Sequence, residues 1–115
     1  GREKFWAEKA HESNGFIYFT FPNGESYDSK IIDITPNREF SIDYFNSNLQ
    51  ITLAPADDNG TDLTLINEGI SDDQYLDIHA GWVSVLLNLK AAVDFNCELR
   101  NHDKNRTWSE KYVDN

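Results

Sequence analysis

Four carboxylates in the first half of the chain come closest to a catalytic pattern: Glu8, Asp28, Asp33 and Asp43. Two carboxylates that converge in a desolvated site can act as general acid and general base, because burial drives their pKa values apart. Each of these four, however, lies in a segment where polar and apolar residues alternate, which favours side chains that point to water. We therefore expect no catalytic residue, and an enzyme would need an acid or base facing a cavity.

The histidines and the cysteine do not have the spacing of a metal site. His11, His79 and His102 lie far apart along the chain, with no second histidine three or four residues away, and Cys97 has no partner cysteine. Structural and catalytic zinc sites usually draw ligands from such short spacings. The nucleotide-binding glycine patterns and the G-x-S-x-G pattern of hydrolases do not occur either. We expect neither a metal nor a cofactor.

Composition narrows the class of partner. The chain has 115 residues and a net charge of −10, which corresponds to one domain and argues against nucleic acid, since binding to phosphates depends on Lys and Arg. A single cysteine forms no internal disulfide, and no apolar leader opens the chain, so we expect a cytoplasmic protein. The longest apolar stretch, residues 82–89, is too short to span a bilayer.

The first 70 residues predict an antiparallel meander of short strands. Residues alternate with period two, and turn clusters such as Asn14-Gly15 recur every ten to thirteen positions. Short turns join antiparallel neighbours. The predicted strands lie near residues 3–11, 16–22, 26–35, 38–46, 49–55 and 61–69.

Residues 71–95 predict one long helix. Ser71 and Gln74 have the spacing of a capping box, and apolar residues follow at steps of three and four. The helix is apolar around most of its girth, so we expect it to be buried on several sides, with the sheet curled around it. For Gly81 we expect the close approach of a strand backbone or of the Trp82 ring. We predict a short second helix near 106–112, packed on the body.

The chain resembles, over nearly its whole length, the START-like (SRPBCC) superfamily, and within it the family of activator of heat-shock-protein-90 ATPase homologues. The resemblance rests on Gly60-Thr61-Asp62-Leu63-Thr64-Leu65 and on the helix sequence from Ala80-Gly81-Trp82 to Leu89-Lys90. The segments Leu99-Arg100-Asn101-His102-Asp103, Arg106-Thr107-Trp108 and Tyr112-Val113-Asp114-Asn115 resemble a C-terminal extension of some members. Residues 98–115 would then form an extension that packs on a single START-like domain.

The resemblance implies an α+β helix-grip fold, in which a curved antiparallel sheet of about six strands wraps around one long C-terminal helix. The strand and two small helices that usually come first are missing before Gly1, so we expect an N-terminally shortened domain. The strand at 61–69 would then be a bare edge, open to self-association or to another chain.

For function, the resemblance implies a cavity between helix and sheet that binds a small apolar or amphipathic ligand. Aromatic side chains there either line the cavity or fill a core, and Tyr44 or Tyr18 would orient the ligand. A chaperone-interaction module and a cyclase-like or hydrolase-like enzyme are the alternatives. The expected cavity lining is Trp82, Val85, Leu86 and Leu89 from the helix, with Ile32, Ile34, Phe40, Ile42, Tyr44, Ile51, Leu53, Leu63 and Leu65 from the sheet.

Overall fold

The structure is a computed structural model and describes residues 1–112. Within them, a short 3-10 helix at Arg2–Lys4 is followed by six strands, one α-helix and a second 3-10 helix at Trp108–Glu110. The strands are β1 (Lys9–Ser13), β2 (Phe16–Thr20), β3 (Ser26–Thr35), β4 (Glu39–Tyr44), β5 (Ser47–Pro55) and β6 (Thr61–Glu68), and the helix is α1 (Tyr75–Phe95).

The six strands form one antiparallel sheet in the order of the sequence, so that β1 and β6 lie at its edges. Tight turns set this order. Asn14 and Gly15 both have positive φ, and so do Phe45 and Asn46 between β4 and β5, which matches the backbone twist that short hairpins need. The sheet is curved and carries α1 on one face, which we call the inner face. The predicted α+β helix-grip architecture is confirmed.

A bulge in β3 decides which of its isoleucines face α1. Ile31 lies opposite Ile42 and Ile34 lies opposite Phe40, but the register shifts between Ile31 and Asp33. The extra residue keeps Ile31 and Ile34 on the inner face and sends Ile32 to the outer face.

The chain before β1 is not strand, although a strand was expected from residue 3. The ladder begins where the Glu8 N–H donates to Thr20 O at 2.9 Å. Ala7 has a φ of +73°, which breaks the extended conformation before Lys9. This turn directs Trp6 into the core, where its side chain is buried.

Helix α1 begins later than predicted, because the capping box does not form. The Ser71 hydroxyl lies 3.2 Å from Gln74 Oε1, and the Gln74 N–H donates to Ser71 O. These bonds make a turn ahead of Tyr75. At the other end Asn96 adopts the left-handed conformation (φ +48°), a common way to end a helix.

The helix is buried along one face and one flank, not on several sides as expected. Trp82 and Val85 are buried against the sheet. Leu76, Val83 and Leu87 share the opposite face and are exposed, because no described segment covers that face.

Gly81 is explained by the C-terminal segment, and the expectation of a strand backbone or of the Trp82 ring was wrong. A Cβ atom at Gly81 would lie only 1.5 Å from the Trp108 ring. Trp108 begins the 3-10 helix Trp108–Glu110, which is shorter than the helix predicted at 106–112. Next to it, the Arg106 guanidinium lies 4.6 Å from the Tyr112 ring centroid. The segment therefore lies directly on α1. The end of the predicted extension, residues 113–115, is outside the described residues.

Candidate functional site

One end of the inner face is filled by aromatic rings, and we call it the aromatic end. The Trp6 ring centroid lies 4.8 Å from Phe19, 5.3 Å from Tyr44 and 5.5 Å from Trp82, and Trp82 lies 5.3 Å from Tyr44. The contacts are mostly tilted or edge-on, the geometries that aromatic pairs prefer. The two tryptophans reach this end from separate segments, and their rings pack against each other and against Tyr44.

Hydrogen bonds fix Trp82 over the end of the sheet. Its Nε1–H donates to Asn67 Oδ1 at 2.9 Å, and the Asn67 amide donates to Ser47 Oγ at 2.7 Å. The Ser47 hydroxyl donates in turn to Tyr44 O at 2.6 Å. This chain ties α1 to β6 and to the β4–β5 turn, so the helix cannot slide along the sheet without breaking buried polar contacts.

Tyr44 supplies the buried titratable group of this end. Its hydroxyl accepts a hydrogen bond from Trp6 Nε1–H at 3.2 Å. Burial raises the pKa of the phenol far above its ordinary value, because a phenolate would lose its hydration. The group therefore stays protonated at neutral pH and can position a polar atom, but it cannot act as a base.

The other end of the inner face is apolar and partly uncovered, and we call it the open end. It lies where β3 ends, β5 ends and β6 begins. Ile34 keeps 41% of its surface exposed and Leu53 36%, although both face the same side as the core. Leu53 pairs with Leu63, and Ile51 with Leu65. The open end is a continuous apolar surface with no aromatic cluster over it.

Two arginines belong to the open end. The Arg2 guanidinium lies 4.8 Å from the centroid of the Phe40 ring, and its Nη1 lies 3.3 Å from Glu12 Oε2. Arg38 lies in the turn just before β4, and its carbonyl accepts from the N–H of the inward-facing Leu53 at 2.8 Å. An apolar surface thus carries cationic groups at its border.

The thirteen predicted lining residues divide by burial. Three are buried in the core, seven are half-buried, and three are exposed. The buried residues are Trp82, Val85 and Ile42; the half-buried ones are Phe40, Tyr44, Ile51, Leu63, Leu65, Leu86 and Leu89; the exposed ones are Ile32, Ile34 and Leu53. Ile32 stands apart, because the bulge in β3 places it on the outer face.

The carboxylates considered for catalysis do not converge. Asp28, Asp33 and Asp43 pair with outward-facing positions of the neighbouring strands. Glu8 lies at the start of β1, where its Oε2 is 2.6 Å from His102 Nδ1. Among residues 1–112, no three His, Cys, Asp or Glu side chains are grouped to hold a metal. No helix of this part of the chain is long and apolar enough to cross a bilayer.

Two depressions lie away from the inner face. An open one of about 500 Å³ on the outer face is bordered by Ile32 and by the polar side chains of Asp43, Asn48 and Glu68. A void of about 10 Å³ lies beside Ala7 and Arg100, and it is barely large enough for one water molecule. Of the residues expected to line the cavity, only Ile32 borders either depression.

A clasp of polar contacts joins the two terminal segments. Arg100 donates to the carbonyls of Glu3 and Ala7 and forms two hydrogen bonds to the Glu98 carboxylate, at 2.8 and 2.6 Å. These bonds from Arg100 lower the pKa of Glu98 to about 2. Because Trp6 lies between Glu3 and Ala7, the clasp holds the segment that fills the aromatic end.

Sequence reasoning missed Arg2, Asn67 and Trp108 as contributors to the site. Asn67 had a usable signal, because it continues the inward alternation of Leu63 and Leu65 and had to find a buried partner. Arg2 gave none, since its contact with Phe40 joins residues far apart in the sequence. The segment around Trp108 was expected to pack on the body, and only its contact with Gly81 was missed.

Comparisons with known proteins bear on the family and the fold of the chain. A family model described as "Activator of Hsp90 ATPase homolog 1-like protein" matches residues 6–94. A crystal structure of a protein from Staphylococcus saprophyticus is similar, with a TM-score of 0.72 and 16% identity over 85% of this chain and 77% of that one. A solution structure from Bacteroides fragilis has a TM-score of 0.47 and 17% identity, covering 88% of this chain and 76% of that one.

A comparison with curated proteins finds no match. The crystal structure shows a shared fold, and the family model covers more than half of the 115 residues. The chain therefore belongs to the family of activator of Hsp90 ATPase homolog 1-like proteins, within the START-like superfamily.

Proposed function

We propose that the protein binds a small apolar or amphipathic molecule at the open end, between α1 and the strands β3 to β6. The observation that carries this proposal is the exposure of Ile34 and Leu53 on the face that elsewhere forms the core. Burial of apolar ligand surface there would contribute about 25 cal/mol for each Å². No covalent step is proposed, because the phenol of Tyr44 stays protonated.

The walls of the proposed site follow from the burial pattern. Leu86 and Leu89 lie one and two turns beyond Trp82 on α1 and are half-buried. Phe40, Ile51 and Leu63 are half-buried on the sheet. Half-buried apolar side chains can change rotamer to admit a ligand, whereas Ile42 in the core cannot without loss of packing.

The test is a titration with 1-decanol, followed by tryptophan emission and by calorimetry, on matched variants. Leu53→Ser at the open end should weaken binding several-fold, because it removes apolar contact area. Ile66→Ser is the control, since Ile66 is similarly exposed but lies on the outer face of β6. Absence of saturable binding, or equal loss in both variants, would contradict the proposal.

A second candidate is a protein-interaction module that binds an Hsp90-type chaperone. Two observations favour it: the description of the family model, and the edge position of β6. An edge strand offers unpaired backbone groups to a partner strand. Purified Hsp90 would be assayed for binding and ATPase rate with the unaltered protein and with Leu53→Ser. Unchanged ATPase turnover without binding would exclude this candidate, and an effect that survives Leu53→Ser would separate it from ligand binding.

A further inference from the structure

Resting on the proposed function, we infer that the ligand of the open end is an anionic amphiphile, whose acidic head group is bound by Arg2 and Arg38 while its tail lies along the apolar surface. A carboxylate or a phosphate head group would satisfy the same guanidinium chemistry.

Two arginines lie beside an apolar surface in a chain that is acidic overall. The chain has ten Lys and Arg against twenty Asp and Glu, so a cation beside an apolar surface runs against its overall charge. Arg2 nevertheless lies 4.8 Å over Phe40, on the inner face. Arg38 lies in the turn that precedes β4, two residues before Phe40, and its carbonyl accepts from the N–H of the inward-facing Leu53. Arg2 therefore borders the half-buried Phe40 ring, and Arg38 lies in the turn next to the strand that carries this ring.

The present partners of these arginines leave them available. Arg2 contacts Glu12 through one 3.3 Å bond, and both side chains are partly exposed, at 30% and 45%. An exposed ion pair held by one hydrogen bond contributes little to stability, so a ligand carboxylate can displace the Glu12 carboxylate from Arg2. Arg38 is exposed and makes no ion pair within residues 1–112. By contrast, Arg100 uses four of its five N–H groups, in two hydrogen bonds to Glu98 and two to backbone carbonyls.

The geometry of Arg2 is suited to an amphiphile. A guanidinium stacked on an aromatic ring is kept in place by the ring face and still presents its N–H groups at the edge. A head group bound at that edge would leave the tail in contact with Phe40, Ile34 and Leu53. An uncharged or cationic head group would find no equivalent partner there.

The experiment compares four probes that share a ten-carbon tail: decanoate, decyl phosphate, 1-decanol and decyltrimethylammonium, each below its micelle concentration. Calorimetry on the unaltered protein should give decanoate or decyl phosphate an affinity about tenfold above that of 1-decanol, as charge-assisted hydrogen bonds predict. Whichever anion binds more tightly identifies the head group as carboxylate or phosphate. The cation should bind more weakly than 1-decanol.

Three variants locate the effect. Arg2→Gln and Arg38→Gln should each weaken decanoate binding several-fold and leave 1-decanol unchanged. Glu12→Gln should strengthen decanoate binding, because it frees Arg2, a gain that a merely destabilised protein would not show. Lys30→Gln is the matched control, since Lys30 pairs with Phe16 and faces the outer side of β3.

Failure of this inference differs from failure of the proposed function. If all four probes bind equally and the arginine variants change nothing, the anionic head group is wrong while the apolar site stands. If no probe binds, the proposed function fails and this inference falls with it.

Discussion

The two ends of the inner face use the same curved sheet and similar apolar residues, yet only one of them is closed. At the aromatic end, Trp6 and Trp82 meet above Tyr44 and fill the hollow side of the sheet. At the open end, Ile34 and Leu53 face the same way without a ring above them. Curvature alone therefore does not make a cavity. Which end is covered depends on the side chains, such as Trp6 and Trp82, that segments outside the sheet place over its inner face.

The comparison is tested most strongly by truncating one residue at each end. Trp82→Ala should lower the free energy of unfolding by about 3–5 kcal/mol, because it removes a buried ring and leaves Asn67 without its donor. Leu53→Ala should cost no more than about 1.5 kcal/mol, since a third of Leu53 is already exposed. Urea denaturation followed by circular dichroism measures both. Equal losses would mean that the two ends are packed alike.

The flank of α1 behind the aromatic end gives the next largest effect. Gly81→Ala should destabilise by about 1–3 kcal/mol, because the added methyl group collides with the Trp108 ring. In a Trp108→Ala background the same substitution should instead stabilise by up to about 1 kcal/mol, the helix preference of Ala over Gly. Thermal unfolding of the unaltered protein, the two single variants and the double variant shows whether the effect of Gly81→Ala on stability changes sign. Additive effects would show that Trp108 does not lie on Gly81 in solution.

The polar contact inside the aromatic end contributes less. Tyr44→Phe keeps the ring but leaves Trp6 Nε1–H without its acceptor, so we expect a loss of about 1 kcal/mol in unfolding free energy. Denaturation at neutral pH measures it, with Tyr18→Phe as control, because Tyr18 faces the outer side of β2 beside His11. A larger loss in the control would refute the role of this bond.

The clasp gives the smallest and most pH-dependent effect. The folded-state pKa of Glu98 is lowered to about 2 from an ordinary value near 4.5. Its stabilisation is therefore fully present above about pH 5 and is lost as the pH falls from 4.5 towards 2. Because half of the Glu98 side chain is exposed, we expect less than about 1 kcal/mol.

Glu98→Gln isolates this contribution. The variant should be less stable than the unaltered protein at pH 6, and the difference should shrink as the pH falls from 4.5 towards 2, where Glu98 becomes protonated. Denaturation midpoints across this pH range provide the measurement. A difference that does not change with pH would assign the effect to something other than the Glu98 charge.

Local patterns predicted the sheet well, and long-range packing explains what they missed. The alternation of Leu63 and Leu65 and the Asn14-Gly15 turn are properties of neighbouring residues, so strands and hairpins could be predicted from them. The Trp6–Tyr44 and Arg2–Phe40 contacts each join residues 38 positions apart. Nothing in the local sequence encodes such partners.

The errors have local physical causes as well. Ile32 was assigned to the inner face because period two was extended through β3, and the bulge after Ile31 reverses that assignment. The capping box at Ser71 matched a pattern, but the Gln74 side chain contacts the Ser71 hydroxyl, and the helix starts at Tyr75, four residues later than predicted.

The position of β6 at the sheet edge has a consequence for how this protein behaves when concentrated. Its strand carries Asp62 near one end and Glu68 at the other. Two such edges that approach in neutral solution bring carboxylates together, and their repulsion discourages stacking into ribbons. That repulsion is weakest near the isoelectric point of about 4.5, where carboxylates begin to be protonated and the net charge approaches zero, so samples kept near that pH should be the first to associate through this strand.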